Sequence, residues 1–132
     1  MLERAAERAR TLGRSVDLVR ADAADLPFAD AAFDTVVCTF GLCCVADEES
    51  VITEALRVLR PAGHLLLADH IGSRLWPLWV LQRAAELLSV PLQGEHFTRR
   101  PLNRLRARGV TVQETERRTL GIFERVHARA PG

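Results

Sequence analysis

Apolar residues fall into two rhythms along the chain, one at helical spacing and one in short continuous runs. Leu2, Ala5, Ala6, Ala9 and Leu12 repeat every three to four positions, with Glu3, Arg4, Glu7, Arg8 and Arg10 on the other side. With Gly13 as a natural stop, residues 1–12 predict a helix. Val16, Leu18 and Val19 form a short β-type run that ends at Ala21-Asp22. The loop from Asp22 to Ala32 is polar, and Pro27 forbids a helix interior there. Phe33 to Phe40 is β-branched and aromatic and predicts a buried strand. Asp47-Glu48-Glu49-Ser50 then opens a helix, with acids where the dipole favours them. Val51, Ile52, Ala55, Leu56 and Leu59 supply its apolar face, Pro61-Ala62-Gly63 ends it, and His64 to Ala68 predicts a second buried strand.

Strand, loop, strand, helix, strand is the order of an α/β fold with a parallel sheet. After Gly72 the texture changes. Residues 74–90 predict a helix carrying Trp76, Trp79, Val80, Arg83 and Leu87, with Pro77 in its first turn. A further helix is expected from Arg100 to Arg108, stopped by Gly109. Val110 to Glu116 and Thr119 to Val126 alternate as two strands of a hairpin, although Arg117-Arg118 is not a tight-turn pair. No internal repeat or low-complexity tract is present.

Composition narrows the reading. At 132 residues, 48% apolar and 27% charged, the chain is one globular domain with enough length for a sizeable core. A formal charge of +1 argues against nucleic acid as the main partner. No apolar run reaches the roughly 20 residues of a membrane-spanning helix, and the amphipathic start is no signal peptide, so a cytoplasmic location is expected. All 18 basic residues are Arg. Their distribution is uneven. Residues 1–69 carry seven Arg and twelve acids (net −5), whereas residues 70–132 carry eleven Arg and five acids (net +6), so the halves are expected to face different things. Cys38, Cys43 and Cys44 form no C-x-x-C pair and sit in an apolar stretch, which argues against a zinc site or a disulfide framework. No metal is expected.

Four pieces in order carry a family likeness. Asp22-Ala23-Ala24-Asp25-Leu26-Pro27-Phe28, Phe33-Asp34-Thr35-Val36-Val37 and Thr39-Phe40-Gly41-Leu42 are followed by the stretch from Glu54 through Arg57-Val58-Leu59-Arg60-Pro61-Ala62-Gly63 to Leu67. Together they resemble class I S-adenosylmethionine-dependent methyltransferases of the ubiquinone/menaquinone-biosynthesis type. The run from Val37 to Val45 also resembles the methyltransferase-like alkyl-thiol enzymes. The likeness covers residues 1–72 well and 73–132 loosely, through Gly94, Thr98 and Arg99. It implies S-adenosyl-L-methionine as cofactor and a small-molecule methyl acceptor. It also implies a single partial domain, with 1–72 on the cofactor side and 73–132 on the acceptor side.

Site residues follow from the same likeness. The Asp22 carboxylate would accept from the adenine amino group, and the Ala23 N–H would meet an adenine ring nitrogen. Both lie just past a strand end, where open α/β sheets bind ligands. Thr39 would sit beside the cofactor. His70, past the end of the third apolar strand, would border the acceptor as a base or orienting donor. The plainer readings are a loop cap for Asp22, strand packing for Thr39 and a capping or solvated histidine at His70. Asp69-His70 lacks the Ser or Cys nucleophile of a hydrolase triad.

The departure from the family is as informative. Its members open with a strand, a G-x-G-x-G loop, a helix and a second strand ending in an acid that holds the ribose hydroxyls. No two of the eight glycines here are closer than nine positions, so that loop is absent. A dinucleotide-dependent hydride-transfer enzyme would need the same loop. The chain therefore reads as a partial Rossmann-like methyltransferase fold. Its sheet is expected to be mostly parallel, with a C-terminal antiparallel hairpin and without the first two strands. Met1 stands where relatives carry an internal residue. In the family order 3-2-1-4-5-7-6 the missing strands lie between Val16–Ala21 and Phe33–Thr39, which leaves an open apolar edge. Two roles are compatible with this: methyl transfer to an apolar quinone-like, lipid-like or thiol acceptor, and a non-catalytic remnant acting as an interaction module or completed by a partner chain. Trp76 and Trp79, in the Arg-rich half, would either pack over the sheet or touch a membrane surface.

Overall fold

A computed structural model describes every residue except Met1, Arg74, Glu95 and Gly121. The reading of Met1 as an internal residue, and of Arg74 as the first residue of the third helix, lie outside the described residues. The elements are α1 (Leu2–Thr11), β1 (Phe33–Thr39), α2 (Glu48–Val58), β2 (Leu59–His70), α3 (Trp76–Gln93), α4 (Pro101–Ala107), β3 (Thr111–Arg118) and β4 (Phe123–Arg129). The sheet order is β1-β2-β4-β3. β1 and β2 run parallel, while β2–β4 and β4–β3 are antiparallel. This is the 4-5-7-6 portion of the order that the resemblance implies, and it leaves a mixed sheet with a single parallel pairing.

The core lies on one face. α2 and α4 pack over β2 and β4, where Ile52, Leu65, Leu105 and Ala128 are fully enclosed. α2 begins at Asp47, whose Oδ1 accepts from the N–H groups of Glu49 and Ser50 (3.0 and 3.2 Å). It ends at Val58, earlier than the apolar pattern suggests, because Leu59 already pairs with Phe33 of β1. Regular pairing with β1 starts at Thr35↔His64, and residues 60–63 bulge out between that pair and Phe33↔Leu59. Ala62 takes a left-handed φ of 58° at the bulge. A Cβ on Gly63 would stand 2.8 Å from the Arg60 carbonyl oxygen, so only glycine fits this close approach.

Two expectations fail on this side of the molecule, for one reason. Val16–Ala21 is no strand: the segment is irregular and exposed. β1 is not buried either, since only Val36 and Cys38 are half-covered and Val37 is 62% exposed. A strand needs a neighbour for its N–H and C=O groups and a layer for its side chains. The neighbours that the resemblance places between these two segments are not in the chain. α1 shares this isolation and buries none of its residues.

The hairpin does not turn at Arg117-Arg118, which lie inside β3. The pairing closes at Arg118↔Phe123, and the loop between them holds Thr119 and Leu120 at left-handed φ of 53° and 56°.

The loop carrying Asp22 is latched to α2. Glu54 Oε2 accepts the Leu26 N–H (2.9 Å), and Arg57 donates to the Leu26 and Phe28 carbonyls and to Asp30. Glu54 and Arg57 also pair with each other at 2.8 Å. The hydrogen bonds from Arg57, then the one from Leu26, hold the Glu54 carboxyl at about 2, below its ordinary 4.5. A depressed carboxyl contributes stability that is present above the ordinary value and lost as pH falls towards about 2. Glu54→Gln is therefore expected to lower the urea midpoint at pH ~7 and to flatten the acid loss of stability below pH ~4.5. Unfolding curves at neutral and acid pH check this, and parallel acid limbs in the two proteins would contradict it.

Candidate cofactor and acceptor site

β1 and β2 both end at the carboxyl edge of the sheet, where α/β folds collect their ligands. β1 stops at Thr39. Phe40 follows in a left-handed conformation (φ 52°), its N–H on the Ala68 carbonyl at 2.8 Å. Thr39 pairs with Ala68, and His70 lies two residues beyond it on β2. Strand alternation thus puts Val37, Thr39, Leu66, Ala68 and His70 on the uncovered face. Cys38, Leu65, Leu67 and Asp69 point to the core side.

Asp69 organises this edge. It is buried, and Oδ2 accepts the N–H groups of Leu42 (2.7 Å) and Cys43 (3.3 Å) while Oδ1 accepts that of His70 (2.8 Å). One carboxylate therefore fixes the loop after β1 against the end of β2. Arg99 adds a second clamp by donating to the Leu42 carbonyl. Cys43 Sγ, an Asp69 oxygen and a His70 nitrogen all lie within 4.8 Å of one another. Burial, then the hydrogen bond to Asp69, push the Cys43 thiol well above its ordinary range. Burial and the Asp69 charge raise Cys38 likewise. Both thiols are thus held protonated, and Asp69 is already committed to three peptide donors. The cluster as arranged is a hydrogen-bonded anchor, not a nucleophile.

His70 is half-buried among aromatic rings. Its ring centroid lies 5.2 Å from Phe40, 6.3 Å from Phe97 and 6.4 Å from Phe123. Such walls leave one polar edge in an apolar surround. Thr39 is exposed and lines a hollow of about 310 Å³ on the uncovered face, with Val37, Leu66, Ala68, Arg125 and His127.

Asp22 and Ala23 are exposed and do not line that hollow. Asp22 Oδ1 accepts the Ala24 N–H at 2.9 Å, and its carbonyl accepts the Asp25 N–H at 3.1 Å. Ala24 packs on the core cluster and carries the turn with it. The structure thus brings Thr39 and His70 to one face and leaves Asp22 and Ala23 in a separate loop held by the Glu54–Arg57 latch.

Sequence reasoning missed several positioning residues. Gln82 donates to the Ile71 carbonyl (3.0 Å) and accepts the Ser73 N–H (2.7 Å). Glu86 accepts both the N–H and the hydroxyl of Thr98, at 2.7 and 2.8 Å. These bonds suspend α3 beside the end of β2. Gly72 permits the approach, since a Cβ there would stand 3.2 Å from the Thr98 carbonyl oxygen. The readable signal was two polar residues four apart, Gln82 and Glu86, on one side of a largely apolar helix. The tryptophans differ: Trp76 is exposed to solvent, while Trp79 turns its indole towards Gly72.

Comparison with known proteins agrees with this architecture. The methyltransferase domain family matches residues 1–67. The ubiquinone/menaquinone biosynthesis C-methyltransferase UbiE of Klebsiella pneumoniae is 36% identical over 97 residues, covering 72% of this chain and 39% of that protein. The demethylmenaquinone methyltransferase of Paenarthrobacter aurescens is 39% identical over 64 residues, covering 48% of this chain and 25% of that protein. The chain thus spans well under half the length of these curated relatives. Among solved structures, the [4+2]-cyclase SpnF superposes with a TM-score of 0.74 at 21% identity, over 96% of this chain and 61% of that one. An S-adenosylmethionine-dependent methyltransferase of Mesorhizobium loti gives 0.69 at 19% identity, over 94% and 74%. At such identities the structures speak for the fold alone. With sheet order, loop anchoring and the matched segment in agreement, this chain belongs to the methyltransferase domain family.

Proposed function

We propose that the chain is part of a class I methyltransferase that moves a methyl group from S-adenosylmethionine to a small apolar acceptor, lipid-like, quinone-like or a thiol, as a fragment without the glycine-rich loop. The observation that carries this reading is the convergence of Thr39 and His70 on one face at the carboxyl edge, beside aromatic walls. The matched relatives named for quinone-biosynthesis methylation support the acceptor class.

The residues present fit one half of the cofactor. Asp22 is exposed, with Oδ2 left to accept an adenine amino group beside the Oδ1 bond to Ala24. The Ala23 N–H in the same turn would meet an adenine ring nitrogen. No glycine-rich loop is present for the other half. When bound, the sulfonium supplies an already activated methyl group. The chain then contributes alignment and exclusion of water rather than a strong catalyst. Thr39 would border the cofactor, Phe40, Phe97 and Phe123 would dry the acceptor side, and the His70 imidazole would take the proton of an acceptor that must lose one, or orient it as a donor. On this reading residues 1–72 serve the cofactor and 73–132 the acceptor, and another polypeptide segment supplies the strands next to β1.

Titration calorimetry tests the adenine contact. S-adenosylmethionine is expected to bind, and Asp22→Ala to weaken it by about tenfold, the worth of one charge-assisted hydrogen bond. A second reading, a non-catalytic remnant that serves as an interaction module, is favoured by the bare β1 edge. Absence of any heat with the chain and with its completed form would establish it over the first. As to location, no helix among the described residues is long and apolar enough to cross a membrane.

A further inference from the structure

Two segments far apart in sequence meet around the Cys43 thiol. Cys44 Sγ stands 3.5 Å from Cys43 Sγ, and an Asp69 oxygen and a His70 nitrogen lie within 4.8 Å of Cys43 Sγ and of each other. Thiolate sulfur, imidazole nitrogen and carboxylate oxygen are the ligands that zinc takes. In a tetrahedral shell with bonds of about 2.0–2.3 Å, such atoms stand roughly 3.3–3.8 Å apart. Cys43, Asp69 and His70 are already near that spacing, and Cys44, next in the chain, supplies a fourth donor. No C-x-x-C spacing announces the set, because Cys43 and Asp69 are 26 residues apart and the fold brings them together.

The surroundings suit an ion. Cys43 and Asp69 are buried, His70 is half-buried and Cys44 is exposed, which gives a fixed floor and a way in. Asp69 is pinned by the N–H groups of Leu42, Cys43 and His70, the kind of outer support that ligating carboxylates have. A carboxylate offers about four acceptor positions, and these bonds leave one, now turned to the Cys43 thiol. A divalent cation inverts that relation: the carboxylate that holds the thiol proton becomes a fellow ligand, and the proton leaves to solvent. Among the described residues no guanidinium is paired with Asp69, since Arg99 donates to the Leu42 and Ala46 carbonyls instead. We propose that Cys43, Asp69 and His70, completed by Cys44, form a binding site for a thiophilic divalent cation of the zinc class at the end of β2. Bound metal would occupy the imidazole lone pair, so a metal-loaded site and proton transfer by His70 exclude each other. Binding itself does not require that the chain transfer a methyl group.

Cobalt(II) titration of the whole, reduced chain tests this. An equimolar amount is expected to give a thiolate-to-cobalt charge-transfer band in the near ultraviolet with the visible bands of a tetrahedral ion, and zinc to abolish both by displacement. Affinity should rise with pH, because binding releases protons. Cys43→Ser and His70→Ala should each keep the circular dichroism spectrum and weaken binding at least about tenfold, and Cys44→Ser should weaken the charge-transfer band. The His64–His127 pair, with Nδ1 and Nε2 2.9 Å apart, offers two nitrogens and no sulfur, so His127→Ala should leave the band unchanged. No charge-transfer band, a band that survives Cys43→Ser or His70→Ala at full strength, or its loss with His127→Ala would each overturn the proposal. Should Cys43→Ser unfold, His70→Ala decides alone.

Discussion

Mixed with a polypeptide that carries the strand, G-x-G-x-G loop, helix and acid-terminated strand of a class I relative, the chain is expected to bind S-adenosylmethionine about a thousandfold more tightly than alone. The estimate rests on two charge-assisted hydrogen bonds from the acid to the ribose hydroxyls, each worth roughly 1.5–3 kcal/mol, with each ~1.4 kcal/mol being tenfold in affinity. The geometry invites such a partner. β1 offers an unpaired edge, Val37 and Leu66 lie open on the uncovered face, and Val16–Ala21 is chain of β composition without a neighbour. The same mixture should raise the melting temperature as edge and face become covered. Calorimetry and thermal melts of separate and combined chains check both effects. Unchanged affinity and melting would show that this edge does not receive those strands.

Asp69→Ala is expected to be the most damaging single substitution. It removes one buried carboxylate and leaves the N–H groups of Leu42, Cys43 and His70 without their acceptor. Orphaning several buried donors costs about 3–5 kcal/mol in total, a large share of a small domain's stability. Asp69→Asn keeps an acceptor oxygen and should lose much less. Urea unfolding of the two variants measures the difference. A loss below about 1 kcal/mol for Asp69→Ala would show that water replaces the carboxylate. Because the bond from the His70 N–H is among those lost, any acceptor-side activity should fall further than the folded fraction does.

Much of the fold was legible because it depends on local rules. Asp47 caps α2, the apolar stripe Val51, Ile52, Ala55 sets the buried side of that helix, and the run from His64 gives the central strand. These signals need only neighbours in sequence. What the chain alone hid was context. Val16–Val19 reads as a strand from its side chains, yet a strand is a relation between two segments, and the partner is not there. β1 reads as buried for the same reason. Of the candidate site, the positions of Thr39 and His70 at strand ends were legible, and strand alternation puts both on one face; their roles are the proposal made above. Asp69 was passed over because its task, accepting from a loop 27 residues away in sequence, leaves no periodic trace. Gln82 and Glu86 were hidden by the Trp and Leu residues around them, which suggested that the apolar side of α3 is the inner one. In the folded chain that side is the outer one.

The fourth strand in chain order lies in the middle of the sheet. β4 sits between β2 and β3, and its Arg129 pairs with both His64 and Thr111. On the ribosome, β2 must wait for the 52 residues between His70 and Phe123 before its second neighbour arrives, and the short β1–β2 pair is a poor refuge meanwhile. Sheet assembly is therefore a late and nearly simultaneous event, and the nascent chain keeps its sticky central strand uncovered until β4 emerges.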